Sequence, residues 1–198
     1  MKRSGFWSRR YPMPKRAAVR NGVPATQSAA LDDLARAVVM VRAGASAFPN
    51  ADGSLAWQGP CEWHKFEGDA APRWLQWSHI RGKAVAPRLR WHPLNAKALC
   101  SECHLGRWHD SGGWGRRDPL AAAKMDTRRT AFLASIRTPE QQAWLMQANE
   151  RHEKPDAHAI AADLLDVLNA LTHRRPHLAM PSESLAVVLS LAEDHAER

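Results

Sequence analysis

Two short pairs of metal-binding residue types stand out in this chain of 198 residues. Cys61-x2-His64 and Cys100-x2-Cys103 each place two potential ligands close together, and 35 residues separate the pairs. Structural zinc takes four thiolate or imidazole ligands in a tetrahedron, and a two-residue spacer lets one tight turn supply two of them. The spacing therefore predicts one structural Zn2+ in a Cys3His site that joins the two ends of the intervening segment.

A bound ion of this kind contributes on the order of 10 kcal/mol of folding free energy, which would stabilise a segment with a small core. A disulfide framework is a poor explanation for the same residues, because three cysteines would leave one unpaired. The alternative interpretation makes Cys61 a single buried thiol and His64 a surface residue. Under that interpretation, removal of any one cysteine would be mild, whereas the zinc site predicts misfolding.

A second set of residues lies between and just after these pairs. It consists of Trp77-Ser78-His79-Ile80, His92-Pro93-Leu94-Asn95 and Leu99-Cys100-Ser101-Glu102-Cys103-His104. Fifteen residues separate His79 from Asn95, and eight separate Asn95 from His104. In this order and spacing, residues 61–112 resemble the HNH endonuclease motif in its zinc-knuckle form. Within that superfamily, the segment WSHIRGKAVAPRLRWHPLNAKALCSEC is similar to the NinG-like recombination proteins of phages.

The resemblance implies a ββα-metal fold around the zinc site. The first strand would end at residues 78–80, and a loop would carry residues 82–95. The second strand would span residues 96–100, and a short helix would begin near His104. The predicted fold class of the whole chain is α+β, mainly α, with this HNH core flanked by an N-terminal helix and a helical C-terminal region.

The resemblance also implies catalytic roles. His79 would be the general base that takes a proton from water, His104 would bind one divalent cation (Mg2+, Mn2+ or Ni2+), and Asn95 would hold the loop that orients His79. Phosphodiester hydrolysis needs an activated water and a cation that stabilises charge on the phosphate. A histidine that titrates near neutral pH suits the first task. The family implies a 5′-phosphate and a 3′-hydroxyl as products, and a phage or prophage origin.

One position departs from the family pattern. Many members carry an Asp just before the first His, where it helps to hold the catalytic metal, but this chain has Ser78. A serine hydroxyl is a poor ligand, so another side chain must anchor the cation. His109, Asp110 and Glu102 are the candidates.

The charge distribution favours a nucleic-acid partner. The formal net charge is +8, and residues 1–20 contain seven Lys or Arg and no acid. Each basic side chain placed near a phosphate releases condensed counterions, which strengthens binding to a polyanion. The residues predicted to contact the flanking phosphates are Arg81, Lys83, Arg88 and Arg90. The expected partner is nucleic acid, above all double-stranded DNA.

The remaining sequence predicts the elements that must position these residues. Residues 1–27 lack apolar periodicity and are interpreted as a basic flexible arm. A helix capped by Ser28 and ended by Gly44, followed by a turn-rich linker with a domain boundary near 45–58, accounts for 28–58. The zinc-stabilised nuclease domain follows at 59–117.

Residues 118–198 predict a helical C-terminal region. Asp118-Pro119 and Thr138-Pro139 have the residue types that begin helices, and further helices are predicted after Pro155 and at Ser182. The apolar stripes of these helices carry no chemical signal. We therefore expect a small helical appendage or an oligomerisation element.

Several function classes are disfavoured by the sequence. No apolar run approaches the roughly 18 residues of a membrane span, and the N-terminus lacks a secretory h-region, so a cytoplasmic location is expected. The leading hypothesis is a metal-dependent HNH endonuclease. The alternatives are a zinc-dependent DNA-binding module without catalysis and a scaffold protein whose zinc only stabilises the fold.

Overall fold

The computed structural model describes residues 23–80, 86–108, 119–147, 156–173 and 175–197, with all their side chains except those of 88, 119–126 and 146. The fold is α+β and mostly helical, with a small four-stranded antiparallel sheet. Its helices and strands, in chain order, are α1 (Ala25–Arg42), β1 (Ser46–Pro49), β2 (Leu55–Pro60), α2 (Glu62–Phe66), β3 (Pro72–His79), β4 (Ala96–Cys100), α3 (Glu102–Trp108, a π-helix), α4 (Pro119–Ile136), α5 (Pro139–Gln147), α6 (Ala157–Leu171) and α7 (Ser182–Ala196).

Helix α1 begins earlier than the sequence predicts. The Ser28 amide donates to the Pro24 carbonyl at 2.8 Å, a helical hydrogen bond, so Ser28 lies inside the helix and does not cap it. Pro24 occupies the N-cap position instead, and the Ser28 side chain is buried. The predicted end is confirmed, because Gly44 adopts a left-handed φ of +77°, which glycine tolerates without strain. Residues 1–22 of the predicted basic arm lie outside the described residues.

The predicted linker near residues 45–58 is wrong, because this segment supplies the first two strands of the sheet. β1 and β2 form an antiparallel hairpin in which Phe48 lies opposite Ala56. The tight connection uses Asp52, whose carboxylate accepts hydrogen bonds from the Ser54 amide and hydroxyl. The turn residues are evident in the sequence, but strands of four and six residues give too little alternation of apolar and polar side chains to predict their pairing.

The four strands follow one another in chain order, each antiparallel to the next. The β3–β4 register runs from Leu75 opposite Cys100 to His79 opposite Ala96. Since side chains alternate along a strand, β3 presents two sets of residues on opposite faces. The inner face, which packs toward α1, carries Leu75, Trp77 and His79, and the outer face carries Trp74, Gln76 and Ser78.

β3, β4 and α3 lie close to the boundaries that the resemblance implies. β3 ends at His79, β4 spans Ala96–Cys100, and α3 begins two residues before His104. α3 turns back over the outer face, where the Trp108 ring lies 3.3 Å from the Lys97 Nζ atom. These elements form an antiparallel hairpin followed by a short helix.

The C-terminal helices belong to the main core and do not form a separate appendage. α6 and α7 pack on each other and on α1, so α1 lies between them and the sheet. The reason is visible on α1, where Leu31, Leu34 and Val39 are all buried although they point in different directions around the helix. A helix that is apolar on most sides needs partners on most sides. Burial of each large aliphatic side chain contributes about 1.5–3 kcal/mol.

Within the described part of the chain, no helix has the combination of length and apolar character that crossing a bilayer would require.

Candidate metal centre and the neighbouring histidines

The predicted zinc ligands come from two turns that the sheet brings together. Cys61 directly precedes α2 and His64 lies within it, while Cys100 ends β4 and Cys103 lies in α3. All four side chains are buried, and their ligand atoms lie within 4.8 Å of one another. This Cys3His group can hold a structural metal such as zinc.

The distances fit a tetrahedral ion. With Zn–S near 2.3 Å and Zn–N near 2.0 Å, neighbouring ligand atoms should lie about 3.5–3.8 Å apart. His64 Nδ1 lies 3.3 Å from the Cys103 sulfur and 3.6 Å from the Cys100 sulfur. Nδ1 is therefore the nitrogen that would bind the ion. The other ring nitrogen, Nε2, faces the Glu102 carboxylate at 3.9 Å.

The polar surroundings of Cys61 favour the thiolate form that metals bind. The Cys100 amide donates to the Cys61 sulfur at 3.3 Å. A hydrogen bond from the Cys103 side chain is the main cause that lowers the pKa of the Cys61 thiol to about 4, and the same contact raises the pKa of Cys103. A buried thiolate at Cys61 is the chemical species expected of a zinc ligand.

An aromatic and charged shell connects this centre to α4. Trp63 is fully buried and its ring centroid lies 4.8 Å from that of Phe132. The Trp63 indole N–H donates to Glu67 at 2.9 Å, and the same carboxylate pairs with Arg107 and Arg128. The shell thus joins α2, α3 and α4 around the candidate metal position.

His79 occupies the last position of β3 and is 7% exposed. Its Nε2 lies 2.9 Å from the Arg90 carbonyl oxygen, and its ring lies 4.3 Å from that of Trp77. A carbonyl can only accept, so Nε2 must carry the proton. In the neutral ring, Nδ1 then carries the lone pair that a general base uses.

Two further side chains, which sequence reasoning missed, hold the main chain of His79. Its carbonyl oxygen accepts hydrogen bonds from the Lys97 ammonium group at 3.0 Å and from the Trp108 indole at 2.9 Å. Lys97 is fully buried in β4, and this burial lowers its pKa well below the ordinary value. In the sequence, the role of Lys97 is indicated only by the presence of a lysine in the otherwise apolar strand AKALC.

Asn95, which the resemblance implies would hold the loop that orients His79, forms two hydrogen bonds at the ends of the loop that contacts His79. The side-chain amide of Asn95 donates to the Leu89 carbonyl at 3.0 Å. The main-chain carbonyl of Asn95 accepts a hydrogen bond from the Ile80 amide at 2.7 Å. Arg90 follows Leu89 in the chain, and its carbonyl accepts the hydrogen bond from His79. Asn95 therefore fixes the loop on both sides of the histidine contact.

His104 lies on α3 and contacts the outer face of the sheet. Its Nδ1 lies 2.7 Å from the Gln76 side-chain oxygen. Gln76 and His79 are three residues apart on β3, so their side chains point to opposite faces. The structure consequently does not bring the His79 and His104 rings together, although the sequence-based hypothesis has both rings act on one phosphate.

Of the three candidate anchors for a catalytic cation, the structure describes Glu102. Ser78 is fully buried on the outer face, and its hydroxyl has no hydrogen-bond partner among the described residues. Glu102 is paired with Arg107 at 3.0 Å beside the Cys3His group. His109 and Asp110 lie outside the described residues.

Arg90, which was predicted to contact phosphate, is instead buried and paired with a carboxylate of the protein. Its guanidinium group is 5% exposed and forms two hydrogen bonds with Asp32 of α1, one of them 2.9 Å long. The Trp91 indole donates to the same carboxylate at 2.9 Å. This buried, bidentate pair engages the Nε and one terminal nitrogen of the Arg90 guanidinium group within the protein. Arg81 and Lys83 lie outside the described residues, as does the side chain of Arg88.

Comparisons with known proteins identify no relative: no family model, no curated protein and no solved structure matches the chain. The Cys3His group and the histidines near it are the features of the chain that bear on its function. The hairpin and helix that carry these residues are the relevant structural unit.

Proposed function

We propose that the protein is a metal-dependent endonuclease of HNH type that hydrolyses DNA phosphodiester bonds. The observation that carries the proposal is the anchoring of His79 at the end of β3. Its ring is oriented by the Arg90 carbonyl, and its main chain is held by Lys97 and Trp108. A histidine fixed in this way, with Nδ1 as the basic nitrogen, is suited to take a proton from water.

His104 is the proposed ligand of the divalent cation. Metal-binding imidazoles commonly use one ring nitrogen for the ion and donate from the other to a neighbouring acceptor. The contact between Nδ1 and Gln76 fits this arrangement and would direct Nε2 toward a cation. Such a cation would supply the charge that stabilises the phosphate during attack.

DNA as substrate is supported by charge. The net charge of +8 favours a polyanion, and binding that depends on phosphate contacts weakens steeply as salt increases. A scaffold function would show no salt-sensitive DNA binding. The cleavage products would carry a 5′-phosphate and a 3′-hydroxyl, which end-labelling can identify.

A second function is favoured by one specific observation. His79 and His104 lie on opposite faces of β3, and Ser78 stands where an acidic ligand would help to hold a cation. Both features agree with a zinc-stabilised DNA-binding module that lacks catalysis. The two functions share the Cys3His site and differ only in whether the chain cuts DNA.

A plasmid-nicking assay separates these functions. The zinc-loaded protein is incubated with supercoiled plasmid and Mg2+, Mn2+ or Ni2+, beside His79→Ala and His104→Ala. The exposed His177 provides a matched control as His177→Ala. We expect His79→Ala to slow nicking by at least about 100-fold, since general-base catalysis contributes roughly 10²–10⁴-fold.

DNA affinity and zinc content should be unchanged in His79→Ala. Equal nicking by His79→Ala and His177→Ala would refute the role of His79. Salt-sensitive DNA binding without nicking by any variant would establish the non-catalytic module.

A further inference from the structure

An exposed aromatic pair lies on the outer face of the sheet, beside the proposed cation ligand. Trp74 is 58% exposed and Phe48 is 42% exposed, and their rings meet edge to face at a centroid distance of 5.8 Å. Large aromatic side chains usually bury most of their surface, and exposed apolar patches mark interaction sites.

The strand register places this pair in line with His104. Gln58 lies opposite Trp74, and Phe48 lies opposite Ala56, two residues before Gln58 on the same face. Gln76 follows Trp74 on that face at a distance of about 7 Å along β3. Because Gln76 contacts the His104 ring, the aromatic pair is continuous with the position at which the cation would be held.

The chemistry of the outer face fits nucleobases. Its remaining positions on β1, β2 and β3 carry no acidic side chain; they are Ser46, Ala56, Gln58, Pro60, Pro72, Gln76 and Ser78. The carboxamides of Gln58 and Gln76 flank Trp74 and can hydrogen-bond to base edges. The absence of acids on these strands suits the approach of a polyanion to a chain with a net charge of +8.

We propose that Trp74 and Phe48 form a stacking surface for the unpaired bases of a DNA strand. Every base has a flat aromatic face, so stacking on exposed rings is independent of sequence. In an intact duplex those faces are covered by neighbouring base pairs. The DNA bound here is therefore single-stranded or locally unpaired, whereas the sequence analysis expects double-stranded DNA. That this strand is also cleaved rests on the proposed function.

Fluorescence anisotropy of the full-length, zinc-loaded protein tests this surface. The probes are a labelled thymidine 30-mer and a labelled 30-base-pair duplex, without added divalent cation so that no cutting occurs. The variants are Trp74→Ala, Trp74→Phe and Phe48→Ala. Trp144→Ala is the matched control, since Trp144 is 40% exposed on α5 and stacks on His92 away from this face.

We expect Trp74→Ala to weaken binding of the single strand by about 5- to 150-fold, the range that removal of one stacking ring gives. Trp74→Phe should keep most of the affinity, and Phe48→Ala should show a smaller loss than Trp74→Ala. Trp144→Ala should change binding of the single strand by no more than about twofold, as is usual for surface substitutions. Duplex binding should change little in all variants.

Equal losses for the single strand and the duplex, or for Trp74→Ala and Trp144→Ala, would overturn the stacking surface. Normal binding of the single strand by Trp74→Ala would also overturn it. If the only effect of Trp74→Ala were a change in the molecular mass measured by sedimentation, the aromatic pair would be a contact between copies of the chain. Circular dichroism and zinc content check folding. If Trp74→Ala is misfolded, Phe48→Ala decides.

The outcome is separable from that of the nicking assay. Single-strand binding that depends on Trp74 would stand even if no plasmid were cut. If nicking depends on His79 but binding of the single strand does not depend on Trp74, the proposed stacking surface is refuted and the proposed endonuclease function stands.

Discussion

At the scale of single residues, Asp32 connects α1 to the loop beside His79. Its carboxylate accepts hydrogen bonds from the Arg90 guanidinium and from the Trp91 indole. The Arg90 side chain is 5% exposed, so water does little to stabilise its charge. Among the described residues, the Asp32 carboxylate is the group that pairs with it. The loop that orients His79 is therefore fastened to the helical core.

Asp32→Ala should lower the free energy of unfolding by about 3 kcal/mol, because it leaves a buried guanidinium unpaired. Urea denaturation followed by circular dichroism measures the change. Asp166→Ala, an exposed carboxylate on α6, is the matched control and should shift stability by less than about 0.5 kcal/mol. Similar effects of the two substitutions would show that the ion pair does not stabilise the fold.

At the scale of elements, the Cys3His group fastens α2 to the end of β4 and the start of α3. Both turns lie at the same end of the sheet, since Cys100 pairs with Leu75 in β3 and the Cys100 amide reaches Cys61. α2 and α3 contain five and seven residues, too few to be stable by themselves. The aromatic shell around Trp63 supplies part of the missing stability, and an ion held by the Cys3His group would supply more.

His64→Ala should reduce bound zinc from one ion per chain to well below one, as elemental analysis of the purified protein would record. It should also destabilise the fold by several kcal/mol, since a structural zinc contributes on the order of 10 kcal/mol. His177→Ala should retain both zinc and stability. A His64→Ala protein with full zinc content would exclude this histidine as a ligand.

At the scale of the whole molecule, α1 is the central element. It contacts β3 and β4 on one side and α6 and α7 on the other. The C-terminal helices therefore share one core with the sheet that carries His79. An independent appendage would have its own core and could unfold separately.

Thermal unfolding of the zinc-loaded protein should therefore give one transition. Tryptophan fluorescence reports on the sheet side, where Trp57, Trp63 and Trp91 are buried, whereas far-ultraviolet circular dichroism reports on the helices. Neither α6 nor α7 contains a tryptophan, so the two signals monitor different parts of the core. The two signals should have the same midpoint. A separate transition in the circular dichroism signal would show that the C-terminal helices unfold as an independent appendage.

The sequence by itself determined the features that depend on local spacing and local chemistry. The two ligand pairs and the starts of the helices at Pro119 and Pro139 follow from short-range patterns. The strand at residues 96–100 and the helix after it were expected only from the resemblance of residues 61–112 to the HNH motif. The Cys3His grouping was also predictable, because ligand chemistry restricts which residues can share an ion.

Only the tertiary structure decided the rest, because it depends on which faces meet. One strand register places His79 on the inner face and Gln76, with His104, on the outer face. The same packing buries Arg90 against Asp32, leaves Trp74 exposed, and puts α1 beneath α6 and α7. None of these is encoded within a short window, since each results from contacts between residues far apart in the chain.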